Sequence, residues 1–327
     1  MKTVLVLGGA GYVGSKVALD LLSQGFKVVI IDNLSRGHRF LISAKCHFFK
    51  VNINNTKAVL RIFNQFEFEA VFHFAALISV PDSQKYPKKY YINNVIGTKN
   101  ILKIFFKKKI KYFIFSSTSA VYGFKKIGKV SEKSTLSPAN NYGRSKLAAE
   151  NLIKKFSVKH NFKYAILRYF NVIGADSKLR IGQINTGALI KNICHNIVKR
   201  KYSIKVFGNK YNTIDGTGVR DYIDINDLSK LHIECLNKLK NYRSFIVNCG
   251  YGFGYSVLEI INLFSRIIKK KIKIFICSKR KGDIEEIYCD NLLLKKLFPK
   301  WKKKITVKKS LENSLKWEKK IKNEKFY

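Results

Sequence analysis

A tyrosine and a lysine four positions apart are the residues of this sequence best suited to acid–base chemistry. They are Tyr142 and Lys146, in the stretch NYGRSK. In a helix this spacing puts both side chains on one face, one turn apart. A neighbouring ammonium favours the phenolate, and a phenol with an ordinary pKa near ~10 needs a shift of roughly 3 units to act as a base at neutral pH. Most pairs with this spacing lie on solvated helix faces, so the elements around them must decide their role.

A glycine-rich loop near the N-terminus predicts a dinucleotide-binding site. An apolar strand pattern over residues 4–7 runs into the sequence GGAGYVG and then into a helix pattern over residues 15–24. In such a unit Gly8 permits the tight turn, Gly11 lets backbone N–H groups approach a pyrophosphate, and Gly14 lets the helix pack closely on the strand. The N-terminus of the helix adds partial positive charge for the phosphates. A plain tight turn is the alternative.

The end of the second strand predicts which dinucleotide is bound. A strand pattern over residues 27–31 ends on Asp32, about twenty positions beyond the glycines. A carboxylate at this place accepts hydrogen bonds from the ribose hydroxyls of adenosine and repels a 2′-phosphate. We therefore predict NAD rather than NADP, although Arg36 and Arg39 are near in sequence.

Strand and helix patterns continue to alternate beyond this unit. Further strands are predicted over residues 46–51, 70–74, 111–115 and 164–169, and helices over residues 88–108 and 142–160. This alternation predicts a parallel sheet with right-handed crossovers. The hydroxyl residues Ser116–Ser119 follow the fifth strand, where a doubly wound sheet faces its ligand crevice. His73 lies inside the fourth strand, and we interpret it as a core histidine rather than an acid–base group.

The predicted fold is α/β, with a doubly wound parallel sheet (Rossmann) and a smaller C-terminal α/β substrate domain. The NAD-binding Rossmann domain covers residues 1–171, and residues 222–248 return to it. The substrate domain covers residues 172–327, because the strand–helix alternation loosens from Val172 onward. Lysines alternate with apolar residues over 311–320, which predicts an amphipathic surface helix.

The charge of the chain allows two interpretations. Its 327 residues include 63 Lys and Arg against 21 Asp and Glu, giving a net charge of +42. One interpretation is a polyanion such as nucleic acid as partner. The other is compositional drift combined with anionic small-molecule ligands. The lysine runs are dispersed along the chain, so we do not predict a nucleic-acid partner.

Cysteine usage and hydropathy limit the compartments in which the protein is expected. The six cysteines form no CxxC pair and no short ligand spacing with the histidines, which predicts no metal site and a reduced, cytoplasmic interior. The N-terminus leads directly into the first strand pattern, so no signal peptide is predicted. No apolar run approaches ~18 residues, and we predict no membrane span.

Ten motifs, taken in order, resemble those of the extended short-chain dehydrogenase/reductase family. They are residues 8–14 (GGAGYVG), 32–35 (DNLS), 73–76 (HFAA), 94–98 (NVIGT), 116–123 (SSTSAVYG), 142–146 (YGRSK), 168–171 (RYFN), 207–209 (FGN), 215–223 (DGTGVRDYI) and 280–283 (RKGD). The resemblance extends to about residue 320. The downstream motifs narrow it to the UDP-hexose 4-epimerases of that family, and the segment 215–223 is its most specific part.

The resemblance implies NAD-dependent 4-epimerisation, which interconverts UDP-glucose and UDP-galactose. In these enzymes hydride passes to bound NAD, the 4-keto sugar turns over and hydride returns to its other face. By resemblance, Tyr142 takes the proton of the 4-hydroxyl, and Thr118 relays or orients the hydrogen bond of that hydroxyl. Lys146, together with the positive charge of the nicotinamide, stabilises the phenolate and bonds the nicotinamide ribose. The resemblance also implies a homodimer formed through helices near residues 87–108 and 142–160.

The resemblance further implies two sets of binding residues. The cofactor set is Gly8, Gly11, Tyr12, Val13, Gly14, Asp32, Asn33, Asn52, Ile53, Phe74, Ala75, Ala76, Asn94, Tyr142, Lys146 and Phe170. The substrate set is Thr118, Asn171, Phe207, Arg220, Arg280 and Asp283. Within the second set Asn171, Arg220 and Arg280 contact the diphosphate. Asp283 contacts the uridine ribose, and Phe207 stacks on uracil.

Four positions depart from the pattern of the family. Asn52 replaces a more common Asp near the adenine, and Gly187 replaces a side chain that usually reaches the substrate. Asp224 stands where many members have His. Ile287 is smaller than the Tyr that some members have at the position gating the C2 substituent, so N-acetylated sugars are conceivable substrates.

Three alternatives to a UDP-hexose epimerase stay open. The first is a UDP-N-acetylhexosamine or pentose 4-epimerase. The second is another nucleotide-sugar epimerase or a dehydratase, and a dehydratase is disfavoured because Ser119 and Ala120, rather than Asp and Glu, follow Thr118. The third is a non-catalytic polyanion-binding protein on the same fold. Such proteins often lose the Tyr/Lys pair or the glycines, both of which this chain keeps.

Overall fold

The structure is a computed structural model that describes residues 1–123, 128–280 and 282–324. The strands are β1 (Thr3–Leu7), β2 (Lys27–Asp32), β3 (His47–Lys50), β4 (Phe68–His73), β5 (Tyr112–Thr118), β6 (Gly128–Val130), β7 (Lys163–Tyr169), β8 (Asn171–Ile173), β9 (Ser203–Phe207), β10 (Val219–Asp224), β11 (Phe245–Cys249), β12 (Gly254–Ser256), β13 (Lys273–Cys277) and β14 (Glu286–Cys289). The helices are α1 (Tyr12–Ser23), α2 (Thr56–Gln65), α3 (Val80–Lys85), α4 (Pro87–Tyr91), α5 (Gly97–Lys107), α6 (Asn141–His160), α7 (Leu189–Val198), α8 (Ile225–Asn241), α9 (Val257–Ile268), α10 (Leu292–Leu297) and α11 (Val307–Asn323). Lys281, in the predicted RKGD motif, lies outside the described residues.

The chain divides into two compact units. The first comprises Met1–Val121, Pro138–Arg168 and Ser229–Val247, and the second comprises Tyr122–Ser137, Tyr169–Leu228 and Asn248–Tyr327. The predicted boundaries differ from this division at residues 122–137, 169–171, 222–228 and 248, which belong to the second unit. The reason is strand pairing, because β6 pairs with β14 and β8 pairs with β10.

The first unit is built on a doubly wound parallel sheet, as predicted. Its strand order is β3-β2-β1-β4-β5-β7-β11, and β1 pairs in parallel with both β2 and β4. β2–β3 and β4–β5 are parallel as well. Continuous apolar runs form these strands because helices cover both faces of such a sheet. Fully buried Leu5, Val29 and Val71 share one core with Phe63 of α2 and Phe105 of α5.

The second unit is α/β with a mixed sheet. Its strand order is β12-β10-β14-β6, with β8 also paired to β10. β10 runs antiparallel to β12 and parallel to β14, and β9 and β13 form a separate parallel pair. Its core brings together Ile193 of α7, Phe264 of α9 and Leu311 of α11. The sheet thus holds part of the segment 215–223, at Val219 and Arg220, against β14, which follows Asp283.

The predicted helix over residues 88–108 is interrupted. α4 ends at Tyr91, a π-helical turn spans Ile92–Ile96, and α5 begins at Gly97. The wide turn carries Asn94, whose side chain bonds the main chain of Leu77. Turns of this kind often mark functional sites. The C-terminal helix is longer than predicted, because Thr306 caps it by accepting a hydrogen bond from the N–H of Lys309.

No helix among the described residues combines the length and the hydropathy that crossing a membrane requires. In the same residues, no group of three or more His, Cys, Asp and Glu side chains could hold a metal ion. The cysteines at 46, 194, 235, 249, 277 and 289 are all free thiols.

Candidate active site

Gly8 and Gly14 are required by the close packing around the first loop. Gly8 has a φ of +78°, and a Cβ atom there would lie 2.5 Å from the backbone nitrogen of Ala75. The N–H of Gly8 donates to the carbonyl oxygen of Ile31 at 2.8 Å. A Cβ atom on Gly14 would collide with the carbonyl oxygen of Gly8. Only glycine lets β1, the turn and α1 approach in this way.

The first turn of α1 is suited to an anion. Gly11 is its N-cap and has no side chain to bond the free N–H groups of the turn, and the turn has no acidic residue. A Cβ atom on Gly11 would meet only the carbonyl oxygen of Gly8, at 3.4 Å, so this face of the loop is open. Tyr12 and Val13 are partly exposed in the same turn. Uncapped N–H groups and the helix dipole together fit a pyrophosphate.

Asp32 lies beside this loop with its carboxylate fixed. It is 9% exposed, and its two oxygens accept hydrogen bonds from the N–H of Ala10 at 3.0 Å and of Leu34 at 2.8 Å. Burial raises the pKa of Asp32, while the hydrogen bonds from Leu34 and Ala10 oppose this change. Each oxygen keeps a further acceptor site, so the carboxylate fits the ribose hydroxyls of a dinucleotide.

The other residues predicted near the adenosine make local contacts. The side-chain oxygen of Asn33 accepts from the N–H of Ser35 at 3.0 Å, and that of Asn52 accepts from the N–H of Asn54 at 2.9 Å. Ile53 is buried at 5% exposure. These bonds fix the two turns, and the contacts of Asn33, Asn52 and Ile53 with a cofactor stay predictions.

The predicted catalytic tyrosine and threonine share a hydrogen bond. α6 begins at Asn141, and Asn140 caps it by accepting from the N–H of Gly143 at 2.9 Å. Tyr142 in the first turn bonds the Thr118 side chain at the end of β5. The Thr118 hydroxyl oxygen also accepts from the N–H of Ala120 at 3.2 Å, which leaves its proton for Tyr142.

Burial dominates the electrostatics of the Tyr/Lys pair. It raises the pKa of Tyr142 to about 12, although the hydrogen bond with Thr118 lowers it. Burial likewise lowers the pKa of Lys146 to about 7, although the carboxylate of Glu150 raises it. The Lys146 ammonium lies 4.2 Å from the ring centroid of Phe115. Burial thus disfavours the charged form of both side chains. The stabilisation of the phenolate by Lys146 together with the positive charge of the nicotinamide stays a prediction.

Asn94 ties the segment after β4 to the catalytic helix. Its side-chain oxygen accepts from the N–H of Leu77 at 2.8 Å, and its amide nitrogen donates to the carbonyl oxygen of Leu77 at 3.0 Å. The same nitrogen donates to the Ser145 hydroxyl at 2.9 Å. Ser145 in turn donates to the carbonyl oxygen of Tyr142 at 2.7 Å. Asn94 is thus a positioning residue here, and its contact with the cofactor stays a prediction.

Phe74, Ala75 and Ala76 follow β4 next to the glycine loop. The N–H of Phe74 donates to the carbonyl oxygen of Leu7 at 2.8 Å, which holds the start of this segment beside β1. The Phe74 ring lies 5.0 Å from the ring of His232. The three residues thus lie at the carboxyl end of the sheet, where the backbone of Ala75 packs closely against Gly8.

His73 is a core histidine, in agreement with its interpretation from the sequence. It is 1% exposed, and its Nε2 lies 2.9 Å from the Thr98 hydroxyl. Thr98 donates its own proton to the carbonyl oxygen of Asn94, so the ring N–H must donate to Thr98. Burial, and then the charge of Lys146, lower the pKa of His73 to about 3. The imidazole is neutral and cannot exchange protons near neutral pH.

The structure adds a buried cluster that the sequence did not reveal. Glu150 is 0% exposed and accepts from the Ser117 hydroxyl at 2.5 Å. Arg168 donates to the same carboxylate from Nε at 3.0 Å and from Nη2 at 2.6 Å. Glu150 follows Lys146 by four positions, so the spacing that singled out Tyr142 could have indicated it. No local signal indicates that Ser117 and Arg168 are its partners.

In the second unit Arg220 is fixed against the segment that follows Asp283. Its Nη1 donates to the carbonyl oxygens of Val219 at 2.8 Å and Glu285 at 3.2 Å, and its Nη2 to that of Ile284 at 2.5 Å. Burial raises the pKa of Asp283, and the guanidinium groups of Arg220 and Arg280 lower it. The two predicted phosphate ligands and the predicted ribose ligand therefore lie together.

Phe207 belongs to the same cluster. The Arg280 guanidinium lies 3.9 Å from the centroid of its ring. One face of the ring is thus covered by a cation. The predicted stacking of uracil on Phe207 would need the other face or a movement of Arg280.

Comparison with known protein families shows which family this chain belongs to. Residues 4–250 match the model of the "NAD dependent epimerase/dehydratase family". This span contains the glycine loop, Asp32, Thr118 and the Tyr/Lys pair. The chain belongs to this family. The resemblance seen in the sequence is confirmed.

Members of the epimerase/dehydratase family match the chain over almost all of its length. UDP-glucose 4-epimerase 1 of Oryza sativa subsp. japonica is 37% identical over 335 residues, which is 97% of this chain and 94% of that protein. UDP-arabinose 4-epimerase 1 of Arabidopsis thaliana is 37% identical over 97% of this chain and 79% of its own length. The crystal structure of UDP-glucose-4-epimerase from Stenotrophomonas maltophila, with bound NAD and formylated UDP-arabinopyranose, superposes with a TM-score of 0.93. It is 32% identical and covers 99% of this chain and 100% of that one.

Two further residues that the family resemblance assigned to ligands also lie in the second unit. Phe170 is 6% exposed, and its N–H donates to the carbonyl oxygen of Cys249 at 3.5 Å. Asn171 is exposed on β8, opposite Tyr222 of β10, and bonds the Tyr222 side chain. Their contacts with cofactor and substrate stay predictions.

The departures from the family pattern have local structural reasons. Gly187 has a φ of +109° with nothing within 4 Å of a built Cβ atom, a conformation that favours glycine. Asp224 is buried and accepts from the Ser310 hydroxyl at 2.6 Å and from the N–H of Asn226 at 2.8 Å. It therefore fixes the turn from β10 into α8. Ile287 is 3% exposed on β14, paired with Arg220.

Proposed function

We propose that this protein catalyses the NAD-dependent 4-epimerisation of UDP-hexoses, interconverting UDP-glucose and UDP-galactose. The observation that carries the proposal is the hydrogen bond between Tyr142 and Thr118, with Lys146 one turn further along α6. The epimerase relatives, which match nearly the whole chain, support the same activity. The protein is an isomerase.

NAD is the cofactor, and the residues present fit it. The open, uncapped first turn of α1 suits the pyrophosphate, and the fixed carboxylate of Asp32 suits a ribose. The chemistry that NAD supplies when bound is reversible hydride acceptance at the nicotinamide, together with a positive charge in its oxidised form. Oxidation at C4 of the sugar and its reversal need no other redox partner.

Tyr142 is the acid–base group in this proposal. Its phenol, with a pKa raised by burial to about 12, is protonated at neutral pH unless positive charge lies beside it. Lys146, with a pKa of about 7, is the cation that the chain itself provides. As C4 is oxidised, the phenolate takes the proton of the 4-hydroxyl, and it returns that proton when C4 is reduced. Thr118 holds the phenolic oxygen in place.

The UDP part of the substrate is assigned to the second unit. Arg220 and Arg280 present planar guanidinium groups, which match phosphate oxygens in pairs. Asp283, whose pKa both guanidinium groups lower, offers acceptors for a ribose hydroxyl. We propose that these residues, with Asn171 and Phe207, hold UDP while the keto sugar turns over. One tyrosine then serves both faces of the sugar.

The sugar itself is a narrower proposal. The Arabidopsis thaliana relative is named a UDP-arabinose 4-epimerase, which supports a test with pentoses. Ile287 at the predicted C2 position is smaller than tyrosine, which supports a test with N-acetylhexosamines. UDP-glucose and UDP-galactose come first because relatives named for UDP-glucose include the rice enzyme, which matches 94% of its own length.

We also propose a homodimer in the cytoplasm. Large apolar side chains are exposed on the helices predicted to form the dimer interface, namely Tyr91 (54%), Ile92 (43%), Phe106 (44%) and Val158 (89%). Exposed apolar groups on one set of helices suit a protein interface. Six free cysteines suit a reducing compartment. Nucleic acid is not proposed as a partner, since the charge of +42 comes from lysines dispersed along the chain.

One assay tests the function. The purified protein is incubated with UDP-galactose, UDP-N-acetylglucosamine or UDP-arabinose, without added NAD, and the 4-epimers are separated and quantified. We expect UDP-glucose from UDP-galactose, and Tyr142→Phe should abolish its formation while the protein stays folded. If no UDP-sugar is epimerised with or without NAD, the proposal fails. Sequence-dependent nanomolar binding of nucleic acid at physiological salt would favour the polyanion alternative.

A further inference from the structure

A buried ion pair lies directly behind the catalytic lysine. Glu150 and Arg168 are 0% and 1% exposed, and two hydrogen bonds join them. Ser117 of β5 bonds the same carboxylate. A buried ion pair is not in itself a source of stability, because removing both charges from water costs as much as their attraction returns. The presence of this pair therefore calls for another reason.

The position of the pair suggests that reason. Lys146 and Glu150 lie one turn apart on α6, and both side chains are buried. On β5, Phe115 faces the ammonium of Lys146, Ser117 bonds Glu150, and the next residue is Thr118. The cluster thus contacts the two elements that carry the catalytic side chains.

The charges around Lys146 show what Glu150 does for it. On α6 these are the phenol of Tyr142 and the carboxylate of Glu150, and on β7 the Arg168 guanidinium is bonded to that carboxylate. His73 of β4 is neutral because its pKa is about 3. Tyr90 of α4 acts on Tyr142 rather than on Lys146. Among the described residues, Glu150 is the group that favours the ammonium, against the burial that disfavours it.

We propose that Glu150, fixed by Arg168 and Ser117, is a positioning residue that keeps Lys146 cationic beneath Tyr142 and so makes the phenolate available. The inference rests on the proposed function and deepens it. Lys146 has a pKa of about 7 with the carboxylate in place. Without that carboxylate burial would lower the pKa of the amine further, and a smaller fraction of Lys146 would be cationic one turn from the phenol. Arg168 and Ser117 act only by fixing the carboxylate.

The test uses variants that separate charge from packing. Glu150→Gln combined with Arg168→Gln removes both charges and keeps hydrogen-bonding groups, so no charge is left buried alone. Glu150→Leu with Arg168→Met is an apolar version for the case that the amide pair does not fold, since such replacements preserve folding elsewhere. Glu150→Asp keeps the charge on a shorter side chain. The matched control is Lys191→Met with Glu318→Leu, a buried ion pair of the second unit.

Two readouts are taken on each holoenzyme. The first is the pH profile of kcat at saturating UDP-galactose. The second is the phenolate absorbance of Tyr142, obtained as the difference between each protein and the same protein with Tyr142→Phe. A loss of packing alone lowers the melting temperature. It does not change the pH at which kcat falls or the pH at which Tyr142 titrates.

We expect both neutral double variants to lose the alkaline limb of kcat about one pH unit earlier, which is a tenfold loss at a fixed pH on that limb. The titration of Tyr142 should move to higher pH by a similar amount. Glu150→Asp and the Lys191/Glu318 control should lower the melting temperature and leave both pH positions in place. The inference is overturned if the neutral variants titrate like the wild type and differ only in melting temperature. Should the wild type epimerise no UDP-sugar, the proposed function fails, and the Tyr142 titration still decides this inference.

Discussion

Gly143, in the first turn of α6, lies against the carbonyl oxygen of Ala120. A Cβ atom on Gly143 would be 2.5 Å from that oxygen and 3.0 Å from a side-chain atom of Pro138. The N–H of Gly143 is bonded to the Asn140 cap at 2.9 Å. The turn that carries Tyr142 is thus pressed onto the turn that follows Thr118, and only a residue without a side chain permits this contact.

Gly143→Ala should therefore impair catalysis although alanine is the better helix former. Alanine gains about 1 kcal/mol in helix propensity, but a backbone oxygen 2.5 Å away cannot move aside without shifting Ala120 and its neighbours. We expect a lower melting temperature and a kcat reduced about tenfold or more, since displacements of about 1 Å at a reacting group have effects of this size. The control is Ala148→Gly on the same helix. It should lower the melting temperature through the loss of helix propensity and leave kcat unchanged. Equal activity of Gly143→Ala and wild type would contradict the contact.

The hydroxyl of Thr118 should matter more than its methyl group. Thr118→Val keeps the shape of the side chain and removes the hydrogen bond that lowers the pKa of Tyr142. We expect kcat to fall about 10²-fold, within the range of acid–base contributions, and the acid limb of its pH profile to move to higher pH. Thr118→Ser keeps the hydroxyl and should retain most of the activity. A valine variant as active as the serine variant would remove Thr118 from the mechanism.

The sheet and the loop could be predicted because their signals are local. The apolar run at Val4–Leu7, the glycines after it and the Asp32 position all act within one strand–turn–helix unit, and the structure has them as expected. The pairing of Tyr142 with Lys146 also follows from helical spacing alone. Such features depend only on residues that are close to them in the sequence.

Other features depend on contacts that the local sequence does not contain. The π turn at Ile92–Ile96 carries Asn94, and the partner of Asn94 is the main chain of Leu77 in another segment. Strand β6 belongs to the second unit because it pairs with β14, far along the chain. The pKa directions of Tyr142 and Lys146 follow from burial, which is a property of the whole fold.

Lys146→Met should inactivate the enzyme and stabilise it. Burial lowers the pKa of Lys146 to about 7 from 10.5, so between these pH values the unfolded chain binds more protons than the folded one. The stability of the wild type therefore rises with pH through this window, and its buried ammonium is a cost below pH ~7. We expect the variant to be more stable by on the order of 3 kcal/mol at pH ~6 and by almost nothing near pH ~10.

The measurement for Lys146→Met is chemical denaturation of both proteins at saturating NAD, at several pH values, beside kcat for UDP-galactose. Saturating NAD is needed because a bound cofactor stabilises the fold by itself. The conservative Lys146→Arg keeps a charge at all these pH values and should show no such gain. A constant difference between Lys146→Met and wild type across the pH range would show that the lysine does not titrate in this window.

Arg220 should act through its shape rather than its charge. Its guanidinium donates to three main-chain oxygens, those of Val219, Ile284 and Glu285, and a lysine has no planar fork to do so. If this group also holds the diphosphate, Arg220→Lys should raise KM for UDP-galactose and weaken inhibition by UDP about tenfold or more, with a smaller change in kcat. Lys129→Gln, at an exposed position of β6, removes one charge and should change neither constant. The same KM in Arg220→Lys and wild type, with the fold intact by circular dichroism, would assign the diphosphate to other residues.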